Sequence, residues 1–135
     1  MEVALERLVQ QRASNRCEYC QLPQALSDLS FHIDHVTAQK HGGPTTAENL
    51  ALACTHCNLH KGTDLTGIDP VTGRITRLFH PRQDDWREHF LWAAAELIGV
   101  TDVGRTTIAV LAINNPDAVA ARAALIAEGR FPPHL

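Results

Sequence analysis

Four cysteines set the strongest constraint on what this chain can fold into. They fall as two pairs, Cys17-x-x-Cys20 and Cys54-x-x-Cys57, with no fifth cysteine left over. Two thiolates carried on one tight turn can face the same ion, and two such knuckles complete a tetrahedral four-thiolate zinc site. Three other readings compete. A redox Cys-x-x-Cys needs only one pair and sits in a βαβ setting. Disulfides suit a secreted chain, whereas Met1-Glu2 runs directly into a helical pattern with no signal sequence before it. A fortuitous pairing of buried cysteines is the plainest of the three. Structural zinc accounts for all four residues and is the expectation.

The insert between the knuckles carries Asp34-His35 and Asn49, and Asn58 follows the second knuckle directly. Ser30 to Val36 alternates as a strand, with Phe31, Ile33 and Val36 turned to a core. Residues 37–48 contain Gly42-Gly43-Pro44 and no apolar period, so they form a loop. Asn49 to Ala53 reads as a second strand, and Cys54 to Lys61 as a helix stopped by Gly62. Strand, loop, strand and helix in that order make a ββα-metal arrangement.

These residues resemble the HNH endonucleases. Asp34-His35, Asn49 fourteen positions after His35, and Asn58 nine further on are similar to the family's His-Asn-His/Asn series. The flanking Cys-x-x-Cys pairs mark its zinc-stapled branch, and Gly42-Gly43, Asn49-Leu50 and Lys61 also fit. The likeness is close over residues 15–63, beginning at Arg16-Cys17-Glu18-Tyr19-Cys20. It continues more loosely through Phe79-His80-Pro81-Arg82 and Trp86-x-x-His89-Phe90, which resemble the tails of small bacterial HNH proteins. The resemblance implies in-line attack of water on a phosphodiester, leaving 3′-hydroxyl and 5′-phosphate ends. It also implies a middle asparagine, here Asn49, that braces the loop and orients His35.

The chemistry explains the residue types. Phosphodiester hydrolysis needs a nucleophilic water, a shield for charge on the phosphoryl oxygens and help for the leaving alkoxide; one hard cation supplies the last two. The Asp34 carboxylate and the Asn58 amide oxygen suit Mg²⁺ or Mn²⁺ rather than zinc, and leave most of the shell to water and phosphate. His35 would be the general base, because imidazole is mostly neutral near pH 7 yet can take a proton. Adjacent strand residues point to opposite faces, so the strand must end, twist or bulge at Asp34-His35 for both to reach one phosphate. His32 shares the Asp34 face and either touches the metal shell or phosphate, or is a satisfied structural histidine. His56 is expected to be exposed, and His60 to approach phosphate. Gly62 stands one turn after Asn58, where a second histidine ligand would otherwise fall, which favours a Mg²⁺-type site. Lys61 is either a phosphate contact or a solvated helix end.

Composition bounds the remainder. At 135 residues the chain has the length of one domain, and no apolar run approaches a membrane span. The net charge of −3 is awkward for a nucleic-acid binder, so the basic surface must be local. Arg7, Arg12, Arg16, Arg74, Arg77, Arg82 and Arg87 either line one groove or form a scattered, solvated surface. Val3, Leu5, Leu8 and Val9 take helical spacing over residues 2–13. A turn at Asp69-Pro70 leads into a strand through Phe79, residues 86–93 alternate as a strand or form a helix, and Leu97 to Val100 closes a small sheet. Thr101 caps a helix to about Ile113. Pro116 opens another with Val119, Ala123 and Ile126 on one face, and residues 130–135 form a loose tail. Trp86, Phe90 and Trp92 are read as core in preference to base-stacking platforms.

The expected fold class is α+β: a ββα-metal core stapled by a four-cysteine zinc site, with a small C-terminal α+β extension. The division falls at 1–65 for the nuclease core and 66–135 for accessory strands and two helices packed on it. The expected protein is a cytoplasmic endonuclease acting on nucleic acid, DNA in the first place, with structural Zn²⁺ and catalytic Mg²⁺ or Mn²⁺. A catalytically inactive zinc-ribbon module binding DNA or a protein partner is the alternative. A toxin-like or homing nuclease would share the chemistry but need a specificity element.

Overall fold

The structure is a computed structural model that describes residues 1–132. Helix α1 (Val3–Arg12) buries Val9 against Leu50 and Leu52, and leaves Val3 and Leu8 exposed. Ser14 and Asn15 then adopt left-handed φ values of 52° and 53°. Asn tolerates that conformation through local side-chain hydrogen bonding, and the reversal delivers the chain into the first cysteine knuckle.

Strands β1 (His32–His35) and β2 (Leu50–Ala53) form an antiparallel hairpin with Asp34 opposite Ala51 and His35 opposite Leu50. All four β2 residues are buried, which the small Ala51 and Ala53 permit. The outer edge of β2 is closed by the knuckle: the Glu18 amide donates to Leu52 O at 2.8 Å, and the Leu52 amide donates to Glu18 Oε2 at 2.8 Å. Helix α2 (Thr55–Lys61) follows at once. Cys54 is its N-cap, accepting from the Cys57 amide, so one residue starts the helix and completes the knuckle.

The second half pairs its strands differently from expectation. Three separate two-stranded sheets occur among the described residues: β1–β2, β3–β4 (Thr66–Ile68 with Ile75–Arg77) and β5–β6 (Phe90–Ala93 with Glu96–Gly99). Residues 97–99 therefore pair with β5 instead of closing a common sheet, and the Val100 amide donates to His89 O at 2.9 Å. Residues 86–89 are a one-turn helix α3 (Trp86–His89), because the Asp85 carboxylate caps the Arg87 amide. Helix α4 (Asp102–Val110) is capped by Thr101 and ends short of Ile113; α5 (Pro116–Ala127) is capped by Asn115. α4 lies on the β3–β4 hairpin so closely that a Cβ on Gly67 would meet Val110 Cγ2 at 2.3 Å. On α5 the buried residue is Arg122, while Ala123 is exposed. Phe131 is buried edge-on to Trp92 at 5.0 Å, so the start of the expected tail is packed. Residues 133–135 of that tail lie outside the described residues.

One continuous core joins the halves. Cys17, Tyr19, Cys20, Cys54 and Cys57 pack with Phe79, Phe90, Leu97, Leu111 and Ile113. Trp86 and Trp92 border it, donating from their indole nitrogens to Tyr19 O and Gln21 Oε1. Among the described residues no helix is long and apolar enough to cross a membrane.

Asp69 ties this half together. It accepts from the Val71 amide and the Thr72 hydroxyl within its own turn, and from Arg105 Nε and Nη2 at 3.0 and 2.8 Å. The Arg105 fork holds the carboxyl well below the usual carboxylate range. A depressed folded-state pKa contributes stability that is present above the unfolded value of about 3.9 and is lost as pH falls through the folded one. Asp69→Asn should therefore be less stable than wild type in urea at pH 6, and the difference should shrink at pH 3. A difference that is unchanged or larger at pH 3 would contradict this.

Candidate active site

The four cysteine sulfurs lie within 4.8 Å of one another, all buried, with Cys20 Sγ 3.7 Å from Cys54 Sγ. Bonds of about 2.3 Å from a tetrahedral ion require sulfurs roughly 3.8 Å apart, whereas a disulfide requires about 2.05 Å. The cluster fits a metal such as zinc, and all four cysteines are free. The turns are preset by the backbone: the Gln21 amide returns to Cys17 O at 2.9 Å with Gln21 at φ 67°. Hydrogen bonds from Cys17, Cys20 and Cys57 hold the Cys54 thiol well below its ordinary range, while Cys20 and Cys57 are pushed well above theirs. A bound divalent ion would favour the thiolate form of each ligand.

Beside the cluster, Asp34, His35 and Asn58 line one open cleft of about 190 Å³ with Ile33, Ala38, Gln39 and Gly62. β1 is regular through Asp34 and ends at His35. That ending, rather than a bulge, lets neighbours on opposite faces border one cleft. Asn58 comes from the middle of α2, and its side-chain amide makes no hydrogen bond among the described residues. Asp34 is 5 % exposed. Its Oδ2 accepts from Tyr19 Oη at 2.8 Å and pairs with Lys61 Nζ at 3.1 Å. Burial lifts the Asp34 carboxyl above its ordinary range, against the opposing pull of Lys61 and Tyr19.

Lys61 is 1 % exposed, neither a solvated helix end nor facing a phosphate. Besides Asp34 it donates to Val36 O at 3.0 Å and His35 O at 3.3 Å, holding the end of β1 against α2. Nothing in the spacing marks this role, since a lysine closing a short helix ordinarily reaches solvent.

Asn49 is buried and bridges the loop: Oδ1 accepts the Thr37 amide at 2.9 Å, and Nδ2 donates to Thr37 O at 3.0 Å and Pro44 O at 2.8 Å. Its backbone carbonyl accepts the Val36 amide at 2.9 Å, immediately after His35. The loop closes so tightly that a Cβ on Gly43 would lie 1.7 Å from Thr37 O. Thr45, passed over in the sequence, bonds His35 Nε2 through its hydroxyl at 2.9 Å.

His32, His56 and His60 are not part of the cleft lining. His32 is exposed. His56 is half-buried rather than exposed, with Nε2 bonded to Leu111 O and Ala112 O at 2.9 and 3.0 Å. His60 stacks on His56 at 4.1 Å and borders a different hollow with residues 115–118. Arg12 and Arg16 line a common cleft with Gln21 and Trp86, but Arg77 is paired with Asp84 and Arg82 with Glu18. The seven arginines thus do not form one groove.

Residues 17–64 match the family model for the HNH endonucleases. The matched segment carries all four cysteines, both strands of the first hairpin and α2. No match to a curated protein or to a solved structure was found. The matched family is one of nucleases, and the match suggests a nuclease-type function for this segment.

Removing one partner of a buried ion pair leaves an uncompensated charge and costs about 3–5 kcal/mol. Lys61→Met should lose stability of that order in urea denaturation, and Lys61→Arg less. A Lys61→Met protein as stable as wild type would show that Asp34 finds its compensation elsewhere.

Proposed function

We propose that the chain is a metal-dependent HNH endonuclease hydrolysing phosphodiester bonds of nucleic acid, DNA in the first place. Residues 1–65 form its ββα-metal core and 66–135 an accessory extension packed on it. The observation that carries the reading is the convergence of Asp34, His35 and Asn58 on one cleft inside the matched segment. The four thiolates hold structural Zn²⁺; their number, burial and spacing support that ion. Four free thiols kept as ligands also suit a reducing, cytoplasmic setting.

Asp34 Oδ1, which has only a long 3.4 Å contact from Lys61 Nζ, and the Asn58 amide oxygen would be the hard donors to Mg²⁺ or Mn²⁺, with Tyr19 and Lys61 holding the carboxylate chiefly through Oδ2. Such an ion, when bound, shields the phosphoryl oxygens and assists the leaving alkoxide. His35 takes the proton of the attacking water. This role calls for the tautomer in which Nε2–H donates to Thr45, leaving the Nδ1 lone pair as the base. Asn49 holds the loop that carries Thr45 and the carbonyls beside His35, and so positions the base without touching substrate. His60 and His32 are exposed and remain within reach of a long substrate, outside the reacting centre.

The test is nicking of supercoiled plasmid and of single-stranded DNA with Mg²⁺ or Mn²⁺ against a metal-free control, after elemental analysis for equimolar zinc. His35→Ala should lower the rate at least about 10²-fold, the scale of general-base catalysis. Asn58→Ala should raise the metal concentration needed. Folded, zinc-replete wild type that cleaves neither substrate would instead indicate an inactive nucleic-acid- or protein-binding module.

A further inference from the structure

Arg122 is an anomaly in the packing of α5. It is 6 % exposed and is the one residue of that helix that is buried. Lys61, Arg77, Arg82 and Arg105 each have a carboxylate within ion-pair distance. Arg122 has none among the described residues. Its hydrogen bonds go to neutral acceptors, Nε to Ala95 O at 2.8 Å and Nη2 to Asn114 Oδ1 at 3.1 Å, and its guanidinium lies over Trp92 at 5.3 Å. Those contacts fix its position without neutralising it, and a buried cation with no counter-charge is costly.

Two of the four cysteines border the same small, largely apolar hollow as Arg122. Arg122 lines it together with Cys20, Cys54, Leu22, Ile113 and Leu125. No other permanently charged side chain borders that space; His56 borders it too, but its Nε2 faces the Leu111 and Ala112 carbonyls. Four thiolates around one divalent ion leave a double negative charge, and apolar walls of this kind weaken screening. The cysteines act back on the arginine: burial pushes its pKa down, while Cys20, Cys57 and Cys54 push it up.

We propose that Arg122 is the counter-charge of the four-thiolate metal centre, so that α5 governs how tightly the ion is retained. The inference rests on the assignment of zinc to the cysteines. It makes the last helix, outside the segment matched to the family, a functional part of the metal site. Groups outside the ligand set that tune a metal centre typically change its affinity by about 10–100-fold when removed.

The experiment is zinc competition against a chromophoric chelator on the full chain, comparing wild type, Arg122→Lys and Arg122→Met. Arg122→Met keeps the length and apolar packing but removes the charge; Arg122→Lys keeps the charge and loses the planar fork and its stacking. The expected result is a zinc affinity about tenfold or more weaker in Arg122→Met, with Arg122→Lys within about threefold of wild type. Equal affinity of Arg122→Met and wild type would overturn the proposal. So would an Arg122→Lys loss as large as that of Arg122→Met, since geometry rather than charge would then be responsible. If Arg122→Met fails to fold, Arg122→Lys alone decides, because loss of zinc from it contradicts a role for charge. Wild type that binds no zinc would fail the metal assignment itself, a result read before any variant.

Discussion

Four sulfurs within 4.8 Å of one another occupy the point where both halves of this chain meet. A protein of this length buries only a modest core, and here the cysteines are part of it, packed with Tyr19, Phe79, Phe90, Leu97 and Ile113. The knuckles also start the elements that build the cleft. Cys54 caps α2, which carries Asn58 and Lys61; Glu18, within the first knuckle, closes the edge of β2; Tyr19, beside it, reaches Asp34. An ion at the sulfurs would therefore brace every element that contributes to the cleft, and folding and ligand geometry would be coupled through one centre.

How far such a site can be read from sequence depends on what generates each contact. The two knuckles, the hairpin and α2 were legible because ligand spacing, alternation and Gly62 act locally along the chain. Tyr19 and Lys61 were not, because their partner Asp34 lies 15 and 27 positions away and neither residue type announces burial. Lys61 reads as solvent-seeking until Asp34 and two carbonyls are seen to accept its hydrogen bonds. Thr45 is hidden in a loop with no period, where only the fold brings its hydroxyl to His35.

The extension was harder for a related reason. Alternation over residues 86–93 suggested a strand, but Asp85 caps a turn of helix first, and local capping outweighs a short alternating pattern. On α5 an apolar stripe was sought at Val119, Ala123 and Ile126. The helix instead presents Ala118, Arg122 and Leu125 to the cavity beside the cysteines. A pattern built on hydrophobicity turns arginine outward by rule. It fails where the partners that hold the arginine inside, here Ala95 O, Asn114 Oδ1 and the face of Trp92, are supplied by other parts of the chain.

The charge balance bears on how nucleic acid could approach. With a net charge of −3 the chain has no general attraction for phosphate. Arg77, Arg82 and Arg105 are each neutralised by a carboxylate, and Arg122 is buried. Arg12 and Arg16 share one cleft of about 420 Å³ on the knuckle side, while Arg7, Lys40, Arg74 and Arg87 are exposed elsewhere. A divalent ion held by Asp34 and Asn58, as proposed, would add positive charge at the cleft. Lys61 cannot substitute for it, because its ammonium is enclosed by Asp34 and the carbonyls of His35 and Val36. Metal dependence would thus extend to substrate binding as well as to the chemical step.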